Sequence, residues 1–119
     1  MRSTTTCSKG DVVVVSVPFT DRSGVKRRPA LVVSTRRFHA KLPDVIVCPI
    51  SSQPRYYERP GPGDRPIQGW SAVGLRRPST VRISNIVAID KRILVRTLGR
   101  LSTRDMEGVE AGLREALGV

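Results

Sequence analysis

Short runs of β-branched and aliphatic residues, each closed by a polar or Pro/Gly-rich stretch, make up most of this chain. The first fills 12–19 behind Gly10-Asp11 and ends at Pro18 and the turn-like Thr20-Asp21-Arg22-Ser23-Gly24. Its β-branched content predicts a strand. After Lys26-Arg27-Arg28-Pro29, read as a basic turn, 30–34 predicts a second strand, and 44–50, introduced by Pro43, a third. The stretch from Ser51 to Pro66 is rich in Pro and Gly and predicts a long loop, of a length that in compact domains is commonly functional. Strand character returns around Ile67, at 73–75, 80–83 and 86–89, and again at 93–98.

The period then changes. Ser102 is placed to cap a helix, with Asp105 three residues on in a capping-box-like spacing. Met106, Val109, Leu113, Ala116 and Leu117 follow on one helical face. Gly108 and Gly112 weaken that helix intrinsically, so packing must hold it. The expected fold is mainly β with a C-terminal helix, a small antiparallel barrel of SH3-like type. Residues 1–9 are polar and aperiodic and are expected to form a flexible tail, leaving 10–119 as a single domain.

Composition narrows the function. Lys and Arg total 21 against 10 Asp and Glu, a net charge of +11. A high-GC genome inflates Arg at solvated positions, yet it would raise acidic residues too, and here they stay scarce. A polyanion is the natural partner, because Lys and Arg contacts to phosphate supply most non-specific nucleic-acid affinity. No apolar run approaches the length that spans a bilayer, and the N-terminus lacks a secretory core, so a cytoplasmic location is expected. Cys7 and Cys48 form neither a disulfide framework nor a metal-binding cluster. With one histidine, no carboxylate cluster and no phosphate loop, neither a metallonuclease nor a paired-histidine nuclease is suggested, and no cofactor is expected.

Four segments, in order and at fitting spacings, make a resemblance. They are Gly10-Asp11 with its strand and Pro18-Phe19; Arg27-Arg28-Pro29-Ala30-Leu31-Val32-Val33-Ser34; Val47-Cys48-Pro49-Ile50-Ser51-Ser52-Gln53; and Pro78-Ser79-Thr80-Val81-Arg82. Together with Leu98-Gly99-Arg100-Leu101-Ser102 they resemble the MazF/PemK toxin family, over residues 10 to 117. The resemblance implies the CcdB/MazF-type barrel and a homodimer. It also implies metal-independent, sequence-specific cleavage of single-stranded RNA and control by a cognate acidic antitoxin.

Carried over by position, the family's catalytic Arg falls on Arg28 and its Thr/Ser on Ser51. Many relatives hold a Glu where this chain has Ser23, so the proton acceptor is left open, with Asp21 the nearby candidate. Phe19, Thr20, Lys26, Arg27, Ser52, Gln53, Arg55 and Arg82 are the expected RNA contacts. Tyr56, Tyr57 and Trp70 are possible stacking platforms. Read without the resemblance, Arg28 is a solvated turn residue, Ser51 a loop residue, His39 an exposed or packed loop residue, and Cys48 core filling. The rival reading is a non-catalytic barrel of the same type that binds nucleic acid or poisons a protein target such as gyrase.

Overall fold

The structure is a computed structural model that describes residues 6–18 and 24–119. Phe19, Thr20 and Asp21 lie outside those residues. Among the described residues seven strands form one antiparallel sheet: β1 (Asp11–Pro18), β2 (Val25–Val32), β3 (Asp44–Ser51), β4 (Asp64–Pro66), β5 (Thr80–Arg82), β6 (Val87–Asp90) and β7 (Leu94–Arg100). The order across the sheet is β4-β5-β3-β2-β1-β7, with β6 also pairing β3. The barrel expectation holds in architecture, although among the described residues no ladder joins β4 to β7 and closes the sheet.

Among the described residues three α-helices accompany the sheet: α1 (Arg36–Lys41), α2 (Pro54–Glu58) and α3 (Thr103–Leu117). The sequence reading foresaw only α3. α1 follows an N-cap at Thr35, whose hydroxyl accepts from Phe38 N. α2 starts on Pro54, whose fixed φ and missing N–H suit a first helical turn, so the expected 51–66 loop contains a helix and ends in β4. Val73 is buried as a core residue, but it lies in the turn structure over 68–74 rather than in a strand.

The basic segment 26–29 is strand, not turn. The β1 ladder runs from Val12↔Leu31 out to Pro18↔Val25, so Arg28 sits opposite Val15 in mid-strand. Cross-strand backbone pairing, not side-chain burial, holds these residues extended, since Val25 through Arg28 are exposed.

Alternation along the strands builds two cores. On one face Val12, Leu31, Cys48, Ile50, Val81 and Ile83 pack with Ile67, Val73 and Val109 of α3. On the other, Val13, Val15, Ala30, Val32, Val45 and Val47 pack with Leu94 and Cys7. Cys7 therefore belongs to the second core although it falls within the stretch expected as a tail. His39 is buried: its ring lies 2.6 Å from Ser34 Oγ, and its Nδ1 lies 3.3 Å from the Cys7 carbonyl oxygen. The Cys7 carbonyl can only accept, so Nδ1 donates to it, and in that tautomer Nε2 accepts from the Ser34 hydroxyl. The histidine fastens the N-terminal segment to the sheet.

Both thiols are enclosed. Burial pushes Cys48 up to about 11, and burial followed by the Asp11 charge raises Cys7. Since the thiolate is the nucleophile, neither is expected to alkylate with iodoacetamide in the folded protein at mildly alkaline pH. Intact mass should show no adduct in native protein and two after denaturation. Rapid labelling of Cys48 in the native state would contradict its placement in the core.

At α3, Ser102 accepts from Asp105 N as expected, but the Asp105 carboxylate does not return to Ser102. It accepts instead from Gln68 N at 3.0 Å and Gly69 N at 2.9 Å, pinning the 68–74 turns to the helix start. The buried stripe ends a turn early: Ala116 and Leu117 are exposed, and the stripe instead includes Gly112.

Candidate active site

The β2–β3 ladder pairs Ala30 with Pro49, Leu31 with Cys48 and Val32 with Val47. Continued outward by two residues, the same register puts Arg28 level with Ser51. On the far side of β3, Ser51 pairs with Thr80 of β5, and Thr80 pairs with Pro66 of β4. Successive side chains alternate between faces. Arg28, Ser51, Thr80 and Arg82 therefore share one face of the sheet, the face that farther in carries Ala30, Val32 and Val47. By register the two candidate catalytic residues fall on neighbouring strands beyond the outer edge of the second core.

Position follows from local sequence. Arg28 is exposed at the outer half of β2, where the sheet has run past its apolar residues. Ser51 ends β3, and its Oγ accepts from Gln53 N at 3.2 Å in a tight turn that hands the chain to α2. The Thr80 hydroxyl beside it is fully buried and has no hydrogen-bond partner among the described residues. An exposed guanidinium beside a half-buried hydroxyl can grip a phosphate in a fork while the hydroxyl orients a neighbouring oxygen.

Arg82 stands one step farther along this face, opposite Asp64 on the β4–β5 ladder. Its Nε lies 2.7 Å from Asp64 Oδ1, and the other Asp64 oxygen accepts from Gly61 N at 2.8 Å. The guanidinium carbon sits 3.7 Å from the centre of the Tyr56 ring. Arg55 Nη2 donates to Tyr56 Oη at 2.8 Å. That hydrogen bond first, with help from Arg82, holds the phenol below the ordinary tyrosine range. Arg55, Tyr56, Arg59, Gly61 and Asp64 line an open groove of about 510 Å³.

Several expectations resolve here. Arg28, Ser51 and Arg82 share a face, and Gln53 and Arg55 lead from Ser51 into the groove. Lys26 shares the parity of Arg28, whereas Arg27 has the opposite parity and so faces the other side of β2. Ser52 is exposed beside the turn. Trp70 is half-buried and packs against the first core, so it is not an open stacking platform. Tyr56 is an aromatic with the Arg82 guanidinium already over its ring. Sequence reasoning missed Asp64, because only the β4–β5 register brings it to Arg82.

The model of the PemK-like, MazF-like toxins of type II toxin–antitoxin systems matches residues 8–117. No curated protein is matched by the sequence. Among solved structures, MazF of a MazE–MazF complex from Deinococcus radiodurans superposes with a TM-score of 0.75 at 22% identity, covering 96% of this chain and 98% of that one. An endoribonuclease in complex with its cognate antitoxin, from a Mycobacterial species, gives 0.73 at 18% identity, covering 96% and 95%. The Mycobacterium tuberculosis toxin MazF-mt6 gives 0.67 at 23% identity, covering 90% and 97%. At such identities these likenesses speak for the fold, while the family match spans nearly the whole sequence. The chain belongs to the PemK-like, MazF-like toxin family of type II toxin–antitoxin systems.

Proposed function

We propose that the protein is an endoribonuclease toxin that cuts single-stranded RNA at particular sequences, needing no metal, and is restrained by an acidic antitoxin. What carries this reading is the register that brings Arg28 level with Ser51 on one face, with Arg82 beside them. RNA supplies its own nucleophile, the ribose 2′-OH. The protein must orient it, offset charge on the phosphorane-like transition state and move protons. Arg28 binds the scissile phosphate through its fork and stabilises the developing charge. A guanidinium stays protonated, so it is not the base. Ser51 donates to a phosphate oxygen and accepts from the 2′-OH. The products are a 2′,3′-cyclic phosphate and a 5′-OH.

The net charge of +11 fits both RNA and an acidic antitoxin segment that folds on binding. The Deinococcus toxin is solved with MazE and a Mycobacterial endoribonuclease with its antitoxin, which supports such a partner here. We carry the homodimer over as part of the same proposal.

The test is cleavage of long single-stranded RNA in EDTA with end-group mapping. Discrete cuts bearing cyclic-phosphate ends are expected, and a single deoxyribose at the attacked position should abolish its cut. Continued cutting of the deoxy substrate would overturn 2′-OH attack. Intact RNA of varied sequence after exposure to folded protein would favour a binding or protein-target role.

A further inference from the structure

We propose that the Tyr56 phenol, clasped by Arg55 and Arg82 on the sheet face that carries Arg28 and Ser51, accepts the 2′-OH proton. The inference rests on the endoribonuclease reading and supplies the group that reading lacks. In this chain the position of the expected Glu is Ser23, which has no side chain able to serve as a base near neutral pH.

Geometry brings Tyr56 to the site by two independent routes. Along the chain, Gln53 N donates to Ser51 Oγ and Tyr56 N donates to Gln53 O at 3.2 Å, so the first turn of α2 is linked to Ser51 through Gln53. Across the sheet, Ser51 pairs with Thr80, and Arg82 follows two residues on with its side chain on the same face. Arg82 then reaches the Tyr56 ring at 3.7 Å. A diagonal neighbour in a sheet stands about 7–8 Å away, within reach of a long side chain and its stacked ring.

The surroundings suit an anionic oxygen. Arg55 donates to it at 2.8 Å from the same helix, and Arg82 covers the ring from β5. Arg59 lines the groove, and Glu58 is exposed on the same helix. From β4 the facing charge is Asp64, buried and committed to Arg82 and Gly61 N. That carboxylate is a positioning residue: its Oδ1 forms an ion pair with Arg82, which lies over the ring, and its other oxygen accepts from Gly61 N. The cations around the phenol lower its titration below the ordinary tyrosine value of about 10.

The step balances simply. The phenolate takes the 2′-OH proton as O2′ bonds to phosphorus, and the P–O5′ bond breaks. The leaving 5′ oxygen takes a proton from water. Tyrosine, now neutral, returns its proton to solvent before the next turnover.

Only the deprotonated phenol serves, so kcat should rise with pH and level off below about 10. The experiment measures kcat and KM across neutral to alkaline pH in EDTA for wild type, Tyr56→Phe, Tyr56→Ala and Asp21→Asn. The substrate is a DNA oligonucleotide with one ribonucleotide at the mapped cut. Tyr56→Phe should lose about 10²-fold or more in kcat and lose the rising limb, with KM within about twofold of wild type. Asp21→Asn should keep the limb. Ultraviolet titration, wild type minus Tyr56→Phe, should show one phenol titrating below the ordinary value, and Arg55→Ala should move it upward. Wild-type kcat and pH profile in Tyr56→Phe, with loss only in Tyr56→Ala, would overturn the proposal and leave Tyr56 a stacking contact. A large loss of kcat in Asp21→Asn, with Tyr56→Phe keeping wild-type kcat and pH profile, would overturn the proposal and assign the proton to Asp21. Failure of folded wild type to cut any RNA would overturn the endoribonuclease reading itself, a result distinct from an active Tyr56→Phe.

Discussion

Replacing Arg28 by alanine is expected to lower kcat for RNA cleavage about 10³-fold, close to 4 kcal/mol of transition-state stabilisation. The size follows from what the guanidinium does in the proposed reaction. The phosphorane-like transition state carries more negative charge on its equatorial oxygens than the ground-state diester does. A fixed fork of N–H donors aimed at those oxygens is therefore worth more in the transition state than in the bound substrate, and kcat falls more than KM rises. Arg28→Lys keeps the charge and loses the planar fork, so it should recover only a minor part of the rate. The fold should not notice. Arg28 is exposed in the outer half of β2, and its strand is held by backbone pairing to β1. Thermal unfolding of Arg28→Ala is expected within about 2 °C of wild type. A well-folded Arg28→Ala that cuts RNA at the wild-type rate would remove Arg28 from the reaction.

Much of this site could be read before the fold, and the missing parts have physical causes. β1 and β3 announced themselves because half-buried pleats select β-branched residues, and Val and Ile fill half or more of those runs. The outer half of β2 did not, since Lys26-Arg27-Arg28-Pro29 has the composition of a turn. What keeps it extended is a ladder to β1, and a ladder leaves no mark in local sequence. Helices α1 and α2 span six and five residues, too few to display an amphipathic period, and each is held by a cap or a first-turn proline instead.

The chemistry divides in the same way. Arg28 and Ser51 were named through segments that resemble a family, and the register then explained why those segments belong together. Arg82 was visible as a residue but not as a partner. Its ion pair to Asp64 and its stack on Tyr56 exist because β4 and β5 lie side by side, a relation no spacing in the chain encodes. Tyr56 was read as a platform for bases; the arginines around it give it a different chemistry.

The two glycines of α3 carry the clearest stability prediction, since the sequence treats them alike and the structure does not. A Cβ on Gly108 meets nothing within 4 Å. Gly108→Ala removes an entropic penalty without a clash and should raise stability by about 0.5–1 kcal/mol. A Cβ on Gly112 would stand 2.5 Å from Ile83 Cδ1 and 3.0 Å from Arg65 Nε. Ile83 is 2% exposed and locked in the first core, so it cannot swing aside. Arg65 bonds the carbonyls of Gly108, Pro62 and Asp64, and displacing it would loosen β4 from the helix. Overpacking of this kind costs about 1–3 kcal/mol for one added carbon and outweighs the helix-propensity gain. With two further methyls, Gly112→Val should lose about 3 kcal/mol or more, a fall in Tm on the order of 12 °C. Because β4 positions Asp64, and Asp64 positions Arg82, Gly112→Val should also weaken RNA cleavage at temperatures where the protein is still folded. Equal stabilisation by alanine at both positions would mean that α3 does not seat on Ile83 and Arg65 as described.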